Sequence, residues 1–76
     1  MTAEEKIKLV TLGQQLSTVG AEVRIAQLGL EKMVDQYGMS SDQAVEAAQA
    51  HSTLCLRFSE LEEEYLELRA HILIGT

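Results

Sequence analysis

Two apolar series, each advancing by alternating steps of three and four residues, limit what this 76-residue chain can fold into. The first runs through Leu9, Leu12, Leu16, Val19, Val23, Ala26, Leu30, Met33 and Tyr37. The second runs through Ala44, Ala47, His51, Leu54, Phe58, Leu61, Tyr65, Leu68 and Ile72. A three-four repeat held for about four heptads predicts a long helix that presents one continuous seam. No other periodic segment is present. The chain has no proline and no tryptophan, and its wealth of Ala, Leu, Glu and Gln favours helix over sheet. The expected class is therefore all-α: one domain over residues 1–76, an antiparallel two-helix hairpin with a coiled-coil-like seam.

Local signals set the boundaries. Thr2 followed by Glu5 reads as a capping box, and Glu4 to Lys8 is a favourable pair one turn apart. Gly38 after Tyr37 reads as a left-handed helix stop. Ser40 with Gln43 reads as the cap of the second helix, with Asp42 in its first turn and Met39 against Ala44 as a hydrophobic staple. The helices are thus expected over about 3–37 and 41–73, with the turn at Gly38 to Ser40. So short a connection forces antiparallel neighbours. The seams then register from Tyr37 opposite Ala44, through Val23 opposite Phe58 and Leu16 opposite Tyr65, to Leu9 opposite Ile72. Gly13, Gly20 and Gly29 each cost up to about 1 kcal/mol inside a helix, and a break near Gly13 or Gly20 would give three helices instead. The heptad phase passes through all three without a skip, which favours one unbroken helix. Gly13 and Gly20 lie seven residues apart on one flank, where another helix can approach closely.

A chain this small buries little of its surface, so a lone hairpin is marginal without a partner subunit. Ala21, Ile25 and Leu28 fall off the first seam, and Cys55 and Leu56 lie at the same height on the second helix. These five residues are expected to form an apolar girdle and a protein interface, through which two hairpins dimerise into a four-helix bundle. The formal charge of −6 and six scattered basic residues argue against nucleic acid. Glu60, Glu63, Glu64 and Glu67 form an acidic patch, read either as a solvated face or as a surface for a basic partner. The acids near the N-terminus do not resemble a signal peptide, no apolar run reaches membrane-spanning length, and the single cysteine suits a reducing, cytoplasmic setting.

Chemistry is sparsely represented. His51 and Cys55 are one turn apart, the spacing of a thiolate–imidazolium pair or half a metal site, but the sequence supplies no third group. The more economical reading buries the His51 ring partly at the seam and treats Cys55 as a small hydrophobe. The carboxylates between Glu60 and Glu67 radiate from one helix rather than converge. No metal site, cofactor or catalytic residue is expected.

Ile25-x-x-Leu28, Met33-Val34, Tyr37-Gly38-Met39-Ser40-Ser41 and Val45 resemble the small helical-hairpin aspartyl-phosphate phosphatases of the bacterial sporulation phosphorelay. The resemblance covers about half the chain and implies a two-helix fold and a response regulator as partner. That family carries Ser-x-x-Leu-Asp on its second helix, the acid being implicated in catalysis. The nearest stretch here, His51-Ser52-Thr53-Leu54-Cys55, keeps the leucine but has histidine for serine and cysteine for the acid. The functional expectation is a small acidic protein-binding regulator or inhibitor, of host, phage or mobile-element origin, acting through helix–helix contacts and not an enzyme. The alternatives are a phosphatase of that type and an oligomeric small-ligand binder.

Overall fold

The computed structural model describes residues 1–75; Thr76, the last residue of the expected domain, lies outside the described residues. Two helices, α1 (Ala3–Tyr37) and α2 (Asp42–Ile74), pack along their full length into a rod of 54 × 15 × 12 Å. Every seam residue except Tyr37 is buried or half-buried. Leu12, Ala44 and Leu61 are the most enclosed, at 4%, 2% and 4% exposure. Tyr37 is 54% exposed: it is the last residue of α1, at the tip of the rod where the chain turns.

The capping box at the start of α1 is formed. The Glu5 N–H donates to the Thr2 hydroxyl at 3.1 Å, and the Thr2 N–H donates to the Glu5 carboxylate at 3.0 Å. The Thr2 N–H, and after it the Thr2 hydroxyl, hold the Glu5 carboxyl below its ordinary value, with His71 adding a smaller attraction. The opposite end differs from expectation in two details. Gly38 takes a positive φ of 88°, but its ψ of 161° is extended rather than left-handed helical. Its N–H still donates to the Val34 carbonyl at 2.9 Å, so α1 ends on an ordinary helical bond and the glycine turns the chain sharply outward.

The cap of α2 is Ser41, not Ser40. The Ser41 hydroxyl accepts from the Ala44 N–H at 3.1 Å and donates to the Gly38 carbonyl at 2.8 Å. The Ser41 N–H reaches the same carbonyl at 3.3 Å. Two donors on one carbonyl tie the turn to the cap, and this favours Ser41 over its neighbour. The shift moves the reciprocal capping position from Gln43 to Ala44, so α2 has no capping box. It also separates Met39, 80% exposed, from the staple position expected for it.

Helix α1 runs unbroken through its three glycines. A methyl group on Gly20 would stand 3.3 Å from Phe58 Cε2, and one on Gly13 would stand 3.9 Å from Tyr65 Cε2. The helix that approaches the glycine flank is therefore α2, whose two aromatic rings, also seven residues apart, lie over the gaps. Each glycine sits one turn from the expected seam partner of its ring, in agreement with the register read from the sequence. At the open end Met1 and Glu5 share a small hollow with His71, Ile72 and Gly75, so the pairing holds to the tips of the rod.

Candidate interaction surface

The apolar side chains that the seam leaves over divide into three places. A concavity of about 800 Å³ forms an open groove beside the turn. Leu30 and Val34 of α1, Met39 of the turn and Ala44, Val45 and Ala48 of α2 form its apolar wall, with Gln49, Ser52 and Thr53 along the rim. Small residues on α2 create the hollow: Ala44 and Ala48 are one turn apart and neither fills the space between the helices. The sequence reading passed over this groove. Val45 and Ala48, three apart beside the seam and next to a methionine in the turn, were the signal that marked it.

The expected girdle is distributed over two faces. Ala21, Ile25 and Leu28 are exposed, the latter two at 69% and 59%, and helical phase puts them on the side of α1 away from α2. Leu56, 63% exposed, lies by the same argument on the side of α2 away from α1. One partner helix docked on one face cannot meet both sets. Cys55 is half-buried and turned along its own helix, its Sγ 3.6 Å from His51 Nε2 and 3.9 Å from Nδ1. His51 is half-buried at the seam, in keeping with a packing role for the pair.

The carboxylates of Glu60, Glu63, Glu64 and Glu67 are all exposed. Phase places Glu60, Glu63 and Glu67 in a row on the outer side of α2, with Glu64 turned toward α1, where it shares a shallow hollow with Lys8, Thr11 and Leu12. Among the described residues, no three His, Cys, Asp or Glu side chains come together to hold a metal ion. No described helix is long and apolar enough to cross a membrane. No family model matches the chain, and no curated protein or solved structure matches it either.

Proposed function

We propose that the hairpin is a non-enzymatic protein-binding module that regulates or inhibits its target through helix–helix contacts, and that it self-associates to complete its core. The observation that carries this reading is the distribution of apolar surface. Twelve large hydrophobic residues are exposed, while Leu12, Ala44 and Leu61 alone are buried among the described residues. Scattered exposed apolar side chains need no explanation, but surface gathered into a groove and a continuous face is the mark of an interface. The groove beside the turn has the form that receives the apolar face of an amphipathic helix, with Leu30, Val34 and Val45 as its walls. The net charge of −6 and the row of glutamates along α2 favour a target whose remaining surface is basic.

The test is affinity purification of a target with the full chain, repeated with Val45→Glu/Ala48→Glu. Both substituted positions lie beside the seam, so helicity by circular dichroism is expected to persist while the groove acquires two charges. Retention of a target by the wild type and its loss from the variant support the reading. Equal retention by both removes the groove from the function.

A further inference from the structure

The outward face of α1 is spaced symmetrically about its middle, with large apolar residues at both ends. Ile7, Val10, Gln14, Ser17, Thr18, Ala21, Ile25 and Leu28 form one stripe on the side of α1 opposite the seam, and all eight are exposed. None is charged. Counted outward from the bond between Ser17 and Thr18, the stripe meets Gln14 and Ala21 at equal distance, then Val10 and Ile25, then Ile7 and Leu28. Large apolar residues stand at both ends and small or uncharged polar ones in the middle.

From this pattern we infer that α1 is the self-association surface, and that two copies pair antiparallel about a two-fold axis passing between Ser17 and Thr18. A two-fold interface requires that if one residue meets a second, the second meets the first on the other copy, and the stripe has this property built in. Ile7 then faces Leu28 of the second copy, Val10 faces Ile25, Gln14 faces Ala21, and Ser17 faces Thr18. The contact runs about 32 Å at 1.5 Å per residue. Uncharged polar residues in the central layer pin the alignment, as a single polar residue does in a coiled-coil seam. Burying Thr18 costs little, because its hydroxyl already donates to the Gln14 carbonyl at 3.1 Å.

Charge and area select a second copy as the occupant. Lys6 and Glu31 are 25 residues apart, close to seven helical turns, and so share one flank of the stripe. Antiparallel pairing brings Lys6 to within two residues of the height of Glu31 of the second copy at each end, about 3 Å along the helix, on the same flank. Parallel pairing would carry this flank to opposite sides of the interface in the two copies, so that Lys6 would meet no Glu31. The chain exposes 5721 Å², about 1,100 Å² more than the roughly 4,600 Å² of a compact protein of this mass. That excess exceeds the ~800 Å² per partner of a standard interface. The groove beside the turn and the glutamate row of α2 stay free in such a dimer. The inference rests on the reading of the exposed apolar surface as interface. A monomeric chain that still binds a target through the groove defeats the pairing and the proposed self-association, and leaves the target-binding half of that reading standing.

The test combines sedimentation with cysteine cross-linking on the full chain. Sedimentation equilibrium at tens of micromolar is expected to give twice the monomer mass. Val10→Glu and Ile25→Glu, both at exposed positions, are expected to keep their helicity and weaken the dimer by at least about 100-fold, since each buries unpaired charge. With Cys55→Ser removing the native thiol, Thr18→Cys is expected to oxidise to a disulfide-linked dimer. Ile7→Cys is expected not to, because antiparallel pairing holds the two copies of residue 7 about 32 Å apart, far beyond the ~7 Å limit for a disulfide. A monomeric wild type, a dimer untouched by Ile25→Glu, or rapid cross-linking through Ile7→Cys each overturns the pairing.

Discussion

The three glycines of α1 form an internal experiment on the seam, because their surroundings differ while their backbone conformation does not. Replacing a glycine by alanine inside a helix gains about 1 kcal/mol from backbone propensity alone. At Gly29 a new methyl group meets nothing within 4 Å, so Gly29→Ala is expected to show the whole gain. At Gly13 the methyl group would rest 3.9 Å from the Tyr65 ring, an ordinary contact, and Gly13→Ala should match or slightly exceed it. At Gly20 the same methyl group stands 3.3 Å from Phe58 Cε2, so the ring must retreat by a few tenths of an ångström. Overpacking of this kind costs about 1–3 kcal/mol in a tight core. Phe58 is only half-buried and has room to yield, which places the cost at the lower end and the net effect of Gly20→Ala near zero.

Urea or thermal unfolding at one fixed protein concentration reads the series, since the proposed self-association would make the midpoint depend on concentration. Gly29→Ala and Gly13→Ala should each raise Tm by about 4–8 °C, the change that 1 kcal/mol brings to a domain of this size. Gly20→Ala should leave it nearly unchanged. Combining Gly20→Ala with Phe58→Leu removes the edge of the ring, and the double-mutant cycle should show a favourable coupling of at least about 0.5 kcal/mol. Equal stabilisation at all three positions would mean that Phe58 does not lie over Gly20, and the register between the helices would have to be redrawn. Destabilisation at Gly29 would mean that α1 is not continuous there.

Three further outcomes follow from the caps and from the single thiol. Ser41→Ala should cost about 1 kcal/mol of unfolding free energy and Ser40→Ala almost nothing; the reverse order would return the cap to Ser40. The Glu5 carboxyl should titrate below the ordinary glutamate value, by carboxyl-carbon NMR, and Thr2→Pro should bring it back by removing both the N–H and the hydroxyl. Because its pKa in the folded chain is lowered, the stabilisation from this carboxylate is present above the unfolded pKa and lost as pH falls through the folded one; a Glu5 titration unmoved by Thr2→Pro refutes the assignment. Mixing with a phosphorylated response regulator should leave its label intact, since a thiol at Cys55 provides no carboxylate to act as general base; label loss that Cys55→Ser abolishes refutes this.

The seam was legible because burial along a long helix repeats, and seventeen of its eighteen positions lie against the other helix. The capping box at Thr2 was legible for a similar reason: its two partners are three residues apart and need nothing from elsewhere. The second cap was not, because Ser40 and Ser41 are adjacent and each has a plausible partner three residues on. The choice between them depends on the Gly38 carbonyl, which is placed by the turn rather than by local spacing. Tyr37 was read one residue too far along the seam for the same reason, since periodicity does not register where a helix runs out of neighbours. The groove was missed because it is made by what Ala44 and Ala48 lack, and a small side chain leaves a weak mark in a pattern search.

Of the girdle residues, Ala21, Ile25, Leu28 and Leu56 are exposed and Cys55 is half-buried. Height along a helix was read from the pairing, but direction around it separates Leu56 from Ile25 and Leu28. Direction also exposes an asymmetry between the two helices. The outer side of α2 carries Glu60, Glu63 and Glu67, whereas the outer side of α1 has no charge from Ile7 to Leu28. A helix that is charged on its outer face is suited to water, and one that is uncharged on two opposite faces is suited to lie between two neighbours. One neighbour of α1 is α2, which fills the glycine flank with Phe58 and Tyr65. The symmetric spacing on the opposite face supplies a reason for the second neighbour to be another α1, because a stripe spaced symmetrically about its middle needs no partner of different sequence to be complementary. The proposed assembly would place the two α1 helices inside, joined through their uncharged stripes, and the glutamate rows of α2 outside, with the groove beside each turn left open for a target.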